Sequence, residues 1–379
     1  MSVIKELFLM NLNSVLMRRF HAFVSVAVMT LFCLTSFAFA VEIKNEPQKT
    51  DELKQTVVTC VAGEKIEASK NYIYCSTFQY AWNILCTSIL KEALLLAGAP
   101  EYAKTLNAAM KEKPNVSEQS YLAMAGFGGE NIVKKINEGL SDKFGGDAPG
   151  VSERLGPEDI IAYAYLYKNL EFAKKFEAPK NFLSIKFNEK WSQLDSFGID
   201  NFSDSNDAHA DLSRQVDILF YEEGRGFVIR LNSKSLNDEI IISTLEAKDT
   251  LLAAYDSIIS VINEKPQKLV KGDRMVIPKI DFNLLHSFKE LVNKKVLNKG
   301  FTKYLLTKAE QGIKFKLNEK GAILKSEAKI VMTKAAMIPS IEHDLRVKGP
   351  FFLIMKEKAS RTPYFMLRVA NDELLVKKQ

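Results

Sequence analysis

A two-residue periodicity that continues through a turn constrains this chain more than any other feature. Ile313, Phe315 and Leu317 alternate with Lys314 and Lys316, so residues 313–317 read as a strand with one buried face. Asn318-Glu319-Lys320-Gly321 then reads as a turn, with Gly321 free to take a positive φ. The strand pattern resumes at once. Ala322, Leu324, Ser326, Ala328, Ile330 and Met332 share one small or apolar face; Ile323, Lys325, Glu327, Lys329, Val331 and Thr333 share a mostly polar one. Such a segment can lie in a sheet with one face buried. Its middle, residues 324–329, is poor in strongly β-favouring side chains, so it is not bound to stay there.

The C-terminal run GPFFLIMKEKASRTPYFMLRVAND, residues 349–372, carries a resemblance. It follows, without a gap, the ending P-F-x-F-x-I … P-L-F-M-G-R-V-x-N-P of the serpin family. Leu306-Thr-Lys-Ala309 and the Asn318–Gly321 turn fall at that family's spacing. Pro278-Lys-Ile-Asp-Phe282 resembles its l-P-k-F segment, and Ile185-Lys-Phe-Asn-Glu-Lys-Trp191 is similar to its A-I-Y-F-K-G-K-W strand end. The chain thus resembles a divergent, exported, bacterial serpin-like protein, strongly over residues 275–372, fairly over 71–191 and thinly between.

The resemblance implies an α+β single domain of mixed and antiparallel sheets, with a helical bundle and an exposed reactive-centre loop. Inhibitory serpins offer that loop as protease bait. Once cut, it inserts as an extra strand in the main sheet and drags the acyl-linked protease with it. Carried onto this sequence, the hinge comprises Glu319, Gly321, Ala322, Leu324, Ser326 and Ala328. The bait residue falls at Ala335, with Lys334, Ala336, Met337 and Ile338 as alternatives. Lys334 would invite trypsin-like proteases, Ala335 elastase-like ones and Met337 chymotrypsin- or elastase-like ones. The sheet-opening region comprises Cys75 and Phe78 in place of a small polar pair, Gln311 in place of a histidine, and Trp191 where the loop enters the sheet.

Three departures stand out. Leu324 and Lys325 occupy positions where inhibitors carry small residues, and overpacking at Leu324 would cost roughly 1–3 kcal/mol. Leu367 replaces a glycine. The chain moves from residue 176 almost directly to the strand at 182–191, where the family has a helix lying across the main sheet. Two readings follow: a suicide inhibitor of serine or cysteine proteases, or a serpin-fold binding or decoy protein that no longer inhibits.

The start of the chain points to export. Met17-Arg-Arg-Phe-His21 is basic, the next eighteen residues carry no charge, and Ala38-Phe39-Ala40 is a cleavage signature. Residues 1–40 read as a signal peptide, with Met17 as an alternative initiator, and residues 41–379 as the mature, extracellular or periplasmic domain. With the signal removed, nothing else in the chain has the length and apolarity of a membrane span.

The remaining composition narrows the function by exclusion. The 52 basic and 46 acidic residues give a net charge of +6. They are interspersed, so a nucleic-acid partner is not expected. Cys60, Cys75 and Cys86 are an odd number and leave the mature chain dependent on its core. The glycines at 126–129 and 145–150 lack a phosphate loop's context, and the polar cluster at 201–211 lacks calcium-loop spacing. His209, His286 and His343 stand in no G-x-S-x-G, H-E-x-x-H or C-x-x-C context. No enzyme, metal or cofactor is expected, and the expected partner is a protease met by a monomer. Helical spacing appears at 51–61, 81–96, 243–262 and 284–297, and strand patterns at 71–74, 227–231 and 239–242.

Overall fold

Alternating and continuously apolar runs become strands almost throughout. The computed structural model describes residues 46–179, 181–203, 206–322 and 343–378. The expected signal peptide lies outside these residues, as do Leu324, Ser326, Ala328, Lys334, Ala335, Ala336, Met337 and Ile338.

The described chain opens with β1 (Gln48–Lys49), β2 (Thr56–Thr59) and β3 (Asn71–Cys75). Next comes α1 (Thr77–Ile84), whose end widens into a π-helical segment (Leu85–Leu90), and then α2 (Glu101–Ala108). β4 (Tyr121–Phe127), α3 (Ile132–Phe144), β5 (Ile160–Leu166) and β6 (Leu170–Glu171) form the next group. A hairpin of β7 (Leu183–Phe187) and β8 (Lys190–Leu194) leads into β9 (Ser196–Ile199) and α4 (Asp207–Ser213). β10 (Val216–Glu222), β11 (Gly226–Leu231), β12 (Asp238–Ser243) and α5 (Leu251–Ser260) precede β13 (Arg274–Pro278) and β14 (Ile280–Ser287). The chain then gives β15 (Lys294–Lys295), β16 (Leu305–Leu306), β17 (Glu310–Leu317) and β18 (Gly321–Ala322). β19 (Asp344–Arg346), β20 (Phe351–Glu357) and β21 (Phe365–Val369) close it.

The base of the molecule is a seven-stranded sheet in the order β10-β11-β12-β20-β21-β3-β2. Its centre is the C-terminal hairpin. Leu353, Met355, Phe365, Leu367 and Val369 face the main core, whereas Phe352, Ile354 and Met366 face α5. Strands buried on both faces need no polar alternation, which is why this run is almost continuously apolar. Leu367 is fully buried there. The class is α+β with mixed pairing: β2–β3, β1–β14 and β13–β19 are parallel.

Tertiary pairing overrides several helical spacings. Residues 284–297 do not form a helix, because β14 zips to β17 from Ile280↔Leu317 to Ser287↔Glu310. Residues 56–59 pair in parallel with β3 instead of forming a helix. α5 is shorter than its expected span because β12 runs to Ser243; Thr250 caps it by accepting a hydrogen bond from Ala253 N. The expected helical bundle is reduced to α1 and α2, packed around Trp82, Cys86 and Leu106.

A helix does lie across a strand pair, earlier in the chain than residues 176–182. Ile132, Ile136, Leu140 and Phe144 recur every four residues on α3 and form one apolar stripe. That stripe packs on Leu122, Met124, Ile161, Tyr163, Tyr165 and Tyr167 of the β4–β5 pair and its exit. Among the described residues, no helix is long and apolar enough to cross a membrane.

A ladder of ion pairs crosses four strands of the seven-stranded sheet. Lys268 reaches Asp217 (2.6 Å), Arg230 bridges Asp217 (2.7 Å) and Glu239 (2.8 Å), and Lys356 closes on Glu239 (3.0 Å). Burial alone would raise the two carboxyl pKa values, but their hydrogen bonds outweigh it and hold both below the ordinary range. A depressed folded-state pKa gives stability that is complete above the unfolded value and lost as pH falls through the folded one. Unfolding free energy should therefore be flat above about pH 5 and fall below the ordinary glutamate value of 4.5. Chemical denaturation across pH 3–7 checks this, and Glu239→Gln should make the decline shallower.

Candidate functional site

Two neighbouring strand pairs leave a place between them. β17 is zipped to β14 along one edge, and β5 is zipped to β4 along its own. Among the described residues, no ladder joins β5 to β17. The floor of this gap is α1, which packs against both strands. Among the described residues, a strand enters between them at one end. There β17 reverses through Asn318–Gly321, with Asn318 N donating to Gly321 O (3.1 Å) and Gly321 N to Asn318 O (3.2 Å). β18 then pairs antiparallel with β6, Gly321 opposite Glu171 and Ala322 opposite Leu170.

The sequence dictates this reversal. Gly321 has φ +134°, and a Cβ there would lie 2.5 Å from Leu170 O and 2.8 Å from Glu171 Cα. Only glycine meets both demands. Asn318 Oδ1 accepts from Lys320 N, while Phe172 N and Phe176 N donate to Lys320 O and Glu319 O. The Glu319 side chain is only 11% exposed and faces Lys279 Nζ at 3.0 Å and Lys175 Nζ at 3.6 Å. Lys279 also reaches Asp195 at 3.2 Å. Burial opposes both charges, yet these contacts hold the Glu319 carboxyl below its usual range and raise the Lys279 pKa. Gly321 and Ala322, expected to be part of a hinge, are accordingly buried and paired with β6.

At the middle of the gap, Gln311 Nε2 donates to Cys75 O (3.0 Å) and Thr77 Oγ1 (3.2 Å). Gln311 Oε1 is buried and has no hydrogen-bond partner among the described residues. The Cys75 sulfur lies 3.0 Å from Thr77 Oγ1, and burial pushes its pKa up. Cys75 and Gln311 are therefore brought together, with Thr77 between them. Phe78 packs on Phe288 with the rings tilted, centroids 4.4 Å apart. Beneath, Ser76 Oγ donates to Tyr80 OH, which donates to Asn115 Oδ1. Thr77, Tyr80 and Asn115 had no motif to reveal them; Thr77 alone could have been suspected, from its place at a helix start after a strand.

Trp191 does not stand at the gap. It pairs with Lys186 in the β7–β8 hairpin and is 64% exposed. Residues 183–187 lie in this two-stranded hairpin and not in the main sheet. The aromatic residues beside the hinge are Phe172 and Phe176, packed on each other (4.9 Å) and on Phe197 (6.3 and 5.9 Å). Their signal is two phenylalanines four apart immediately after the apolar run of β5.

The remaining polar candidates are structural. His209 Nδ1 accepts from Ser203 N, so Nε2 carries the proton toward Glu177 (3.0 Å). His286 bonds to Thr50 and His343 to Asp273. Cys60, Cys75 and Cys86 are free and buried. Among the described residues, no group of three His, Cys, Asp or Glu side chains could hold a metal ion.

No family model matches the chain, and no curated protein does. Solved structures do. The chain is similar to thyroxine-binding globulin in complex with thyroxine, at 14% identity and TM-score 0.48, over 80% of this chain and 93% of that one. It is similar to a serpin from the trematode Schistosoma haematobium, at 13% and 0.46, over 80% and 94%. It is also similar to mouse protein Z-dependent protease inhibitor, at 13% and 0.45, over 79% and 91%. Each of these likenesses extends over about four fifths of the chain.

Gly321 of β18 and Gly312 of β17 give a matched test. Gly321→Ala should lower the unfolding free energy by about 1–3 kcal/mol, from backbone strain and overpacking. Gly312→Ala, where the nearest atom to a new Cβ is Leu284 O at 3.9 Å, should change it by less than about 0.5 kcal/mol. Urea midpoints of the two variants check the difference.

Proposed function

We propose that this protein is an exported suicide inhibitor of serine or cysteine proteases. Residues 1–40 are its signal, residues 41–379 its mature monomeric domain, and the 20 residues 323–342 between β18 and β19 its bait. The observation that carries this reading is the gap between β5 and β17, which β18 has already entered at one end.

The sequence of the bait suits the gap. Continuing the β18 register would set Leu324, Ser326, Ala328, Ile330 and Met332 beside Lys168, Leu166, Ala164, Ala162 and Ile160. Small and apolar faces would then meet above α1. Lys334, Ala335, Ala336, Met337 and Ile338 follow just beyond the point where β5 begins, so a protease bound there would be carried to the far end of the gap. Ala335 is the favoured bond.

Magnitudes favour insertion. Each new backbone hydrogen bond contributes about 0.5–1.5 kcal/mol, and a strand flanked on both sides makes on the order of ten. Seating Leu324 costs roughly 1–3 kcal/mol. The uncut chain is held from this state by a barrier, which makes its stability kinetic. Leu324 bears on rate: slow insertion loses the race with deacylation, and the protein would then act as a serpin-fold binding or decoy module.

The test is to mix mature protein with trypsin, elastase, chymotrypsin and a papain-like protease and to run denaturing gels. The expected result is a band at the summed mass that survives boiling, with the released C-terminal peptide beginning one residue after the bait residue. Cleavage within residues 334–338 without such a band would contradict inhibition and leave the binding module.

A further inference from the structure

One buried cation on the wall of the gap has no role in the reading above. Lys168 sits between β5 and β6, and its side chain is 9% exposed. Its ammonium lies 2.8 Å from Asp238 Oδ1, 2.6 Å from Glu357 Oε1, and 5.2 Å from the Tyr364 ring centroid. Asp238 opens β12, Glu357 ends β20, and the two are directly opposite in the ladder. Like charges placed so repel, and Lys168 is the cation that both carboxylates share. The remaining bonds complete the cluster. Tyr364 OH donates to Asp238 Oδ1 (3.1 Å) and Ser235 Oγ to Asp238 Oδ2 (2.6 Å). Ser117 N and Oγ both donate to Glu357 Oε1 (2.8 and 2.9 Å).

The placement of these bonds matters. β4, β5 and α3 share a small core of their own around Ile132, Ile136, Leu140 and Phe144. They meet the main core through the partly buried Tyr121, Ala123, Ala164 and Leu166. Ser117 precedes β4 and Lys168 follows β5, so both chain segments at this one end of the strand pair converge on Glu357, at the side where β6 receives β18. The opposite end, at Phe127 and Ile160, has no part in the cluster.

We propose that Lys168, Asp238 and Glu357 form a clamp that fixes the hinge end of the β4–β5–α3 unit to the seven-stranded sheet. Displacement of that unit away from β17 is then confined to its far end, and the wall against which an entering strand first pairs stays in register. Lys168 is a positioning residue; its consequence for inhibition rests on the insertion reading, whereas the clamp itself does not.

Hydrogen exchange on the full mature chain tests the clamp. Lys168→Met, Asp238→Asn and Glu357→Gln are combined so that no buried charge is left without a partner. The expected result is exchange at least about tenfold faster across β4 and β5, with β10, β11 and α5 unchanged. Unchanged rates in β4 and β5, or an equal acceleration everywhere, would overturn the clamp. Lys168→Arg keeps a cation and should leave β4 and β5 within about threefold of wild type; acceleration matching the triple variant would assign the effect to packing and overturn it too. If the triple variant fails to fold, Glu357→Gln alone should accelerate β4 and β5 selectively, and its failure to do so has the same meaning. Exchange is read without any protease, so a missing inhibitory complex would count against the inhibitor reading and leave the clamp standing.

Discussion

The proposed function depends on a ladder that stops among the described residues. Among the described residues, β5 and β17 are each zipped to a neighbour on the outer side, and the link between them is the pairing of the two residues of β18 with β6. A sheet edge is a template for another strand. Here two edges face each other over α1, and the chain leaving β18 carries the alternation of a strand. On the proposed reading, the segment that would pair there is covalently joined to β18, which would make its effective concentration high.

The surroundings divide into a fixed base and a lighter wall. The base is the seven-stranded sheet, with Phe351, Leu353, Leu367 and Val369 fully or almost fully buried at its centre. The wall is β4, β5 and α3, which carry their own apolar cluster. Charged groups are concentrated where wall, base and hinge meet: Glu319 with Lys279 on one side, Lys168 with Asp238 and Glu357 on the other. Buried charges are costly unless paired, so these pairs specify position more than they add stability.

Much of the fold was legible because several local signals agreed. The alternation at 313–317, the Asn-Glu-Lys-Gly turn and the apolar C-terminal run became β17, the reversal and the central hairpin. The failures came where one pattern serves two structures. Leu284, Leu285 and Leu291 fit a helix, but Phe282 and Leu284 also alternate with Asn283, and pairing with β17 decides for the strand. Trp191 was conspicuous as a residue type, yet the residues bonded to the Asn318–Gly321 turn are Phe172 and Phe176. α3 was hidden by the glycines on either side of it, although its four-residue apolar period was plain. The clamp left a faint trace: Lys168 is the lone charge in the run from Ile160 to Leu170, but nothing in sequence could name partners 70 and 189 residues away (168 to 238 and to 357).

The most direct measurement is the melting temperature of the mature protein before and after a single cut within residues 334–338. If the gap accepts the freed segment, Tm should rise well beyond the few degrees that about 1 kcal/mol produces. An unchanged or lower Tm after complete cleavage would mean that β5 and β17 never receive a strand, and would contradict the account at its centre.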